Sequence, residues 1–310
     1  MREEVLFTVD TPYRHSLPVK GWRFGDPEKK SLAVMGALRG NEVQQMYICA
    51  QLIQTLEKLE RDGLLSPDCG ILVVPCANQF SMNVGRRFWA ADNTDINRMF
   101  PGYDLGETTQ RIAAGVFQEI SQYDMGIQFA SFYMPGQFSA HVRMMKTGFE
   151  NVDKARQFGL PYVVLRNPKP YDTTTLNYNW QIWETDAYSL YTTVTTRLDE
   201  HSAGEMVKCV LRFMAANGII DHPLDAIPVS RVIRDEELLS VRPHSSGLLR
   251  PCTRVDAHVC KGEELAWLQN PCDGERLETL TAPADGTVFF LHDDPLVYAA
   301  TAAIKLIPDI

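Results

Sequence analysis

Two residues of opposite charge, Arg39 and Glu42, stand in a glycine-punctuated turn that the sequence places directly after a buried strand. The apolar run at residues 32–35 has the pattern of such a strand, and an amphipathic helix is predicted over residues 42–62. A strand-to-helix turn of this kind lies at the carboxyl edge of an α/β sheet, where ligands bind. A carboxylate and a guanidinium at that edge suit polar or charged ligands, so the turn is the centre of a candidate site.

A second polar segment follows the next predicted strand, which occupies residues 70–75. This segment, residues 76–106, is rich in Asn and Arg, and loops of its length inside compact domains are usually functional. Asp92 and Asp95 supply oxygen atoms of the kind that hard cations bind. Aspartates in such a loop more often form turns and ion pairs, so the sequence leaves both interpretations open.

The chain resembles the succinylglutamate desuccinylase/aspartoacylase family, within the zinc carboxypeptidase-like superfamily, through two phrases. GNE at residues 40–42 is similar to the end of the family's G-x-H-G-x-E, and DINRMFPG at residues 95–102 is similar to its D-x-N-R-x-F-P-G. KGEEL and APADGTV, near the carboxyl end, resemble phrases of its β-domain. The resemblance implies a zinc amide hydrolase whose metal is held by a His and a Glu on the turn and by a His after a later strand. A further Glu activates the zinc-bound water.

The residues at the implied metal positions depart from the family pattern. Arg39 stands where the first His is expected, Ala130 stands at the second, and only Glu42 is kept. Tyr191 aligns with the general-base Glu, so the catalytic residue is unknown. A guanidinium has no lone pair to give, alanine has no ligand atom, and zinc takes about three protein ligands. We expect no metal and no other cofactor, and we predict that Arg39 pairs with Glu42 or a neighbouring carboxylate at the former metal position.

The binding half of the implied site is better kept. By the resemblance, Arg87, Asn97 and Arg98 hold the substrate's carboxylate, and Arg143 is a further candidate. An arginine fork suits a carboxylate because two parallel hydrogen bonds match its geometry, although such arginines also make structural ion pairs.

Three hypotheses for the function follow from these residues. The first is a family-like protein that binds a small carboxylate or an N-acyl amino acid without zinc-dependent hydrolysis. The second is an active metal-dependent amide hydrolase, of deacylase or carboxypeptidase type, that holds zinc on non-standard ligands such as Glu42 and His141. The third is a purely structural subunit of an assembly. The missing ligands favour the first, and His141 is otherwise a core or surface histidine.

Composition narrows the class of partner. The formal net charge of −9 argues against a nucleic-acid binder, which needs a basic face. No apolar run approaches the roughly 20 residues of a membrane span, and the amino-terminal residues lack a signal-peptide pattern. The seven cysteines form no C-x-x-C pair. We therefore expect a cytoplasmic protein with reduced thiols and no membrane partner, whose oligomeric state the sequence leaves open.

Alternating strands and helices predict a three-layer α/β/α sandwich with a mixed, mostly parallel sheet over residues 1–224. Residues 225–310 alternate in short segments that predict a small β-barrel or sandwich domain. The helix over residues 42–62 is predicted to bury one apolar face. That face contains Val43, Met46, Tyr47, Ala50 and Ile53. Further strands are predicted at residues 125–130, 160–165 and 189–195, further helices at residues 107–122 and 202–216, and no strong helix at residues 1–30.

Overall fold

The computed structural model describes residues 1–10, 16–221 and 226–309. The chain forms two compact units, the first made of residues 1–131 and 141–232 and the second of residues 132–140 and 233–310. The division near the carboxyl end therefore lies eight residues after the predicted one, and a short internal segment belongs to the second unit. The sequence did not predict this segment because its strand is only two residues long, too short for a period to show.

The strands in the described residues are β1 (Arg2–Val9), β2 (Leu17–Gly25), β3 (Leu32–Ala37), β4 (Gly70–Cys76), β5 (Met125–Ala130), β6 (Gln137–Phe138), β7 (His141–Met145), β8 (Tyr162–Arg166), β9 (Asp186–Tyr191), β10 (Arg231–Arg234), β11 (Leu239–Val241), β12 (Gly247–Pro251), β13 (His258–Val259), β14 (Glu264–Gln269), β15 (Arg276–Thr281), β16 (Gly286–Leu291), β17 (Leu296–Val297) and β18 (Ile304–Pro308). The α-helices there are α1 (Val43–Arg61), α2 (Gln79–Asn83), α3 (Thr108–Ile120), α4 (Val152–Arg156), α5 (Leu176–Ile182) and α6 (Glu200–Ala216). Short 3-10 turns occupy Ile96–Arg98, Pro170–Asp172 and Asp235–Glu237.

The large sheet has, within the described parts of the chain, nine strands in the order β1-β2-β4-β3-β5-β9-β7-β8-β10. Its centre is parallel: β3 pairs in parallel with β4 and β5, and β5 with β9. The β1–β2 hairpin and the β7–β9 pair are antiparallel. Helices α3 and α5 pack on the sheet face that carries Ala33 and Met35, whereas α1 packs on the other face, beside Gly36. The predicted α/β class with a mixed, mostly parallel sheet is confirmed.

Helix α1 buries a different face from the one that the sequence predicted. The residues buried against the sheet are Gln44, Gln45, Ile48, Cys49, Leu52, Leu56 and Leu59. The predicted face points away from the sheet, with Ala50 exposed and its apolar neighbours half-buried. Glu42, not Asn41, is the N-cap residue. Because both faces of α1 are apolar, hydrophobic periodicity alone could not choose between them.

Other sequence predictions hold to different degrees. The strands predicted at residues 32–35, 70–75 and 125–130 are confirmed, and so are the helices predicted at residues 107–122 and 202–216. The predicted strand at residues 189–195 was placed too late, because β9 ends at Tyr191. Strands β1, β2 and β7 and helix α5 were missed. Strand β1 alternates between charged and apolar residues, and β7 is a buried strand interrupted by Arg143, so neither has a plain apolar run.

The second unit contains two antiparallel sheets in its described residues. One has the order β11-β18-β16-β13, with β6 paired to β16, and the other has the order β15-β14-β12-β17. Both close over an apolar core that includes Leu249, Leu268, Val288 and Leu306. The predicted small β-domain therefore corresponds to this unit. No helix in the described residues is long and apolar enough to cross a membrane.

Candidate functional site

The turn between β3 and α1 is held tightly by the loop that follows β4. The Gly40 amide donates to the Arg87 carbonyl at 2.9 Å. A Cβ atom on Gly40 would stand 2.3 Å from the carbonyl oxygen of Arg86 and 2.4 Å from the backbone of Ser81. Only glycine permits this approach, so Gly40 fixes the turn against the polar loop.

The Glu42 carboxylate organises the turn from within. One of its oxygens accepts hydrogen bonds from the backbone amides of Leu38 at 2.9 Å and Arg39 at 3.0 Å. Its other oxygen accepts from the Arg39 Nη1 atom at 3.1 Å and from the Ser131 hydroxyl. Glu42 is only 2% exposed, so nearly all of its acceptor capacity is used inside the protein.

Arg39 joins two carboxylates that lie far apart in sequence. Its Nη2 atom lies 2.8 Å from Asp95, and its Nε atom donates to the same carboxylate at 3.1 Å. Its Nη1 atom also donates to Ser131 at 3.1 Å. The predicted pairing of Arg39 with Glu42 is therefore present, and Asp95 is the neighbouring carboxylate. The bond to Asp95 also answers the question that the sequence left open, because this aspartate forms an ion pair.

Electrostatics favour the charged form of Arg39 despite its burial. Burial alone would lower the pKa of the guanidinium, but the charges and hydrogen bonds of Glu42 and Asp95 outweigh it, and the pKa is raised. Arg87 shows the opposite balance: burial and then the charge of Arg39 lower its pKa, against the opposing pull of the same carboxylates. Two cations and two carboxylates thus meet at the carboxyl edge of β3.

Two cross-strand rows extend the polar region along the same sheet face. Strand register aligns Gln128 of β5 with Ser189 of β9, and Ser189 with Arg143 of β7. The next row aligns Ala130 with Tyr191 and Tyr191 with His141. Directly paired residues point to the same side of a sheet, and alternate residues share a face. All six side chains therefore face the α3 and α5 side, and the polar members other than Tyr191 are buried.

Tyr191 is the centre of a stack in these rows. The imidazole of His141 is parallel to its ring, with centroids 4.6 Å apart and an angle of 7°. The Arg143 guanidinium lies 4.7 Å from the centroid of the same ring. A cation on an aromatic face is stabilised by the ring quadrupole, so the stack holds the charge of Arg143 in a buried place. The position of Tyr191 as a general base stays a prediction.

Asn97 and Arg98 point to different partners. The Asn97 side-chain oxygen accepts from the Leu176 amide at 3.1 Å, which ties the polar loop to the start of α5. The Arg98 Nη1 atom donates to the Tyr171 carbonyl at 2.5 Å and lies 3.8 Å from Asp172. The structure therefore does not place Arg98 in the Arg39 cluster, and its contact with a ligand stays a prediction.

Sequence reasoning missed Ser131 and Asn177. Ser131 directly follows β5 and bonds both Arg39 and Glu42, and its position beside Ala130 was the available signal. Asn177 lies one turn before Trp180, whose indole packs on Gly126 of β5. Asn177 is 4% exposed, and neither atom of its amide has a hydrogen-bond partner among the described residues. Buried amides are normally bonded, so this side chain marks a place where a polar group fits.

The residues at this edge do not fit a zinc ion. Ala130 offers no side-chain ligand, and its carbonyl accepts from Gln45 at 3.2 Å. Arg39 occupies the Glu42 oxygen that faces away from the turn amides. Among the described residues, no group of three or more His, Cys, Asp or Glu side chains is arranged to hold a metal. The donor set is therefore wrong for a three-ligand site.

The comparison with known families decides the relationship. The model of the succinylglutamate desuccinylase/aspartoacylase catalytic domain matches residues 28–215. The chain belongs to the succinylglutamate desuccinylase/aspartoacylase family. The matched residues include the β3–α1 turn, the polar loop and the rows on β5, β7 and β9, so the site lies inside the family's catalytic domain. No sequence among the curated proteins matches the chain.

Solved structures share the fold of this family member. A succinylglutamate desuccinylase from Silicibacter has a TM-score of 0.83 at 16% identity, covering 98% of this chain and 94% of its own. The product-bound ectoine utilization protein EutE from Ruegeria pomeroyi has a TM-score of 0.80 at 17% identity, covering 94% and 89%. A family protein from Rhodobacter sphaeroides has a TM-score of 0.78 at 17% identity, covering 95% and 90%. At these identities the likeness shows the fold.

Proposed function

We propose that this family member binds a small carboxylate or an N-acyl amino acid at the carboxyl edge of the large sheet, without zinc-dependent hydrolysis. The observation that carries the proposal is the Arg39 guanidinium, which is buried between Glu42 and Asp95 on the family's metal-binding turn. A fixed guanidinium supplies positive charge there but neither binds zinc nor generates a nucleophilic water.

The ligand's carboxylate falls to other cations than Arg39. Arg39 already serves Glu42 and Asp95, so its charge is balanced locally. Arg87, beside this cluster, and Arg143, on the Tyr191 ring, are the arginines on which a second anion gains most. The amide of Asn177 supports a ligand that also has a polar group, such as the carbonyl or N–H of an acyl amide.

The alternative is a metal-dependent amide hydrolase that uses Glu42 and His141. Glu42 already accepts from two backbone amides, a guanidinium and a hydroxyl, and the imidazole of His141 is stacked on Tyr191. Moving both into one coordination sphere would break the turn and the stack. The contacts of these two residues therefore favour binding over hydrolysis.

Two measurements test the proposal. The first is the zinc content of the purified protein after incubation with zinc and desalting; stoichiometric retention would favour the hydrolase. The second is a thermal-shift and calorimetric screen with short dicarboxylates and N-acetyl and N-succinyl amino acids. We expect binding in the micromolar to millimolar range that weakens about tenfold or more in Arg87→Ala, because losing one charge-assisted contact costs about 1.5–3 kcal/mol.

Matched variants make the screen specific. Arg156→Ala removes an exposed guanidinium paired with Asp153 and should leave binding unchanged. Arg98→Ala tests the contact inferred from the family phrase, and a weaker response in this variant would add Arg98 to the site. If no carboxylate in the screen binds the wild type, or if Arg87→Ala binds as the wild type does, the proposed site is wrong.

A further inference from the structure

The outward face of α1 has the wrong chemistry for a surface exposed to water. A surface helix normally carries charged residues opposite its buried face. From Val43 to Leu56, α1 has no charged residue, and its polar Gln44 and Gln45 lie on the buried side. Ala50, on the outward face, is exposed. A helix that is apolar on both faces is normally covered on both.

The outward face borders a groove with the composition of a protein interface. The groove has a volume of about 550 Å³. Its walls include Trp22, Met46, Tyr47, Ile53, Pro75 and Leu198. Leu198 is 58% exposed, which is unusual for leucine in the absence of a partner. Interface centres are enriched in Trp, Tyr and Met and depleted of charge, as this groove is.

We propose that this face binds the same face of a second copy of the chain, with the two α1 helices antiparallel about a twofold axis at Ala50. A twofold interface must be self-complementary. The outward stripe meets this requirement, because bulky residues stand three or four positions before and after the small Ala50. Met46 and Tyr47 of one copy then lie against Ile53 and Gln54 of the other. The small central residue lets the two helices approach closely.

Charge favours this occupant. A twofold axis brings each residue close to its own copy, so an interface rich in one charge would repel itself, whereas the uncharged stripe does not. Glu57 stands seven residues after Ala50, as Val43 stands seven before it. Each Glu57 carboxylate therefore lies beside the first turn of the other α1 helix. That turn has no acidic residue, and the positive end of the helix dipole stabilises an anion there.

The oligomeric state of the full-length chain tests the proposal. Light scattering and sedimentation velocity across micromolar concentrations should give twice the chain mass of 35.0 kDa. Ala50→Glu places two carboxylates at the axis and should raise the dimer dissociation constant by at least about 100-fold. Ala216→Glu makes the same change at an exposed position of α6 and should leave the dimer intact. Circular dichroism and melting curves check that both variants keep the fold.

A crosslink gives a second readout that does not depend on weakening the interface. In a background where the exposed Cys252, Cys260 and Cys272 are replaced by Ser, Ala50→Cys should form a disulfide between two copies under mild oxidation. Ala216→Cys in the same background should not. A monomeric wild type would overturn the proposal, including the case in which another protein fills the groove. A dimer that survives Ala50→Glu and gives no crosslink in the Ala50→Cys variant would place the interface elsewhere, and would overturn it equally.

Discussion

At the scale of single residues, one arginine takes the place where the family binds a metal. Arg39 is 5% exposed and touches two carboxylates and a hydroxyl. A buried ion pair of this kind is a weak source of net stability, because desolvation offsets the attraction. Removing one partner is nevertheless costly, since the remaining charges are left buried without compensation.

Arg39→Met should therefore destabilise the protein strongly. Met keeps much of the side-chain volume but leaves Glu42 and Asp95 facing each other without a cation. We expect the free energy of unfolding to fall by about 3–5 kcal/mol, measured by urea unfolding at neutral pH.

The exposed pair of Arg156 and Asp153 is the matched control, and Arg156→Ala should change the free energy of unfolding by less than about 1 kcal/mol. The double variant Arg39→Met with Glu42→Gln should lose less than the sum of the two single losses, because the groups interact directly. An Arg39→Met variant as stable as Arg156→Ala would mean that the pair is open to water.

The sequence predicted the Arg39–Glu42 pair because both residues are on one short turn. It did not predict that Asp95 completes the pair, since Asp95 lies on a different loop and only the fold brings it close. Ser131 and Asn177 were missed for the same reason: a single serine or asparagine carries no periodic signal. Arg98 was assigned from a local phrase, which says nothing about where its side chain points.

At the scale of the elements, tight packing of β3, β4 and α1 sets the position of the turn. A Cβ atom on Gly36 of β3 would stand 2.2 Å from the Pro75 carbonyl oxygen and 2.9 Å from the Cys49 sulfur. The strand can therefore approach its neighbour and the helix only where no side chain intervenes.

Gly36→Ala should destabilise the first unit by about 1–3 kcal/mol, because the new methyl group forces backbone to move. The same substitution at Gly204, inside α6, meets no heavy atom within 4 Å. Gly204→Ala should stabilise by about 0.5–1 kcal/mol, because alanine loses less conformational entropy in a helix. Thermal melting of the two variants tests the pair, and equal signs would show that the β3–β4–α1 packing is looser than described.

Sequence periodicity located most central elements but not their faces. Strands β3, β4 and β5 were predictable because they are continuous apolar runs buried on both sides. Helix α1 was located correctly but turned the wrong way, since its apolar residues cover both faces and two glutamines are buried. The half-exposed hairpin β1–β2 was missed because its strands mix charged and apolar residues.

At the scale of the whole molecule, the second unit is assembled from two separate pieces of chain. Strand β6, from residues 132–140, pairs antiparallel with β16. The ring of Phe138 lies 4.6 Å from that of Phe290 and 4.8 Å from that of Phe132, measured between centroids. The Ser139 hydroxyl also donates to Asp256.

Phe138→Ala should destabilise the second unit by about 3–5 kcal/mol, because it removes a buried aromatic ring from this cluster. Hydrogen exchange measured by mass spectrometry should show faster exchange in β16 and β18 than in the strands of the first unit. Phe149→Ala, at a side chain that is 47% exposed, is the control and should have little effect. Uniformly faster exchange over the whole chain would contradict this assignment.

The two-piece origin of the second unit also limits how the gene can be recombined. A single crossover at residue 232 between two family members would join a carboxyl-terminal segment from one parent to a β6 strand from the other. The hybrid would place a foreign phenylalanine cluster against its own β16. Chimeras that exchange residues 132–140 together with residues 233–310 keep each unit's aromatic contacts within one parent. Functional hybrids should therefore require two coordinated exchanges, and related sequences should change in these two segments together.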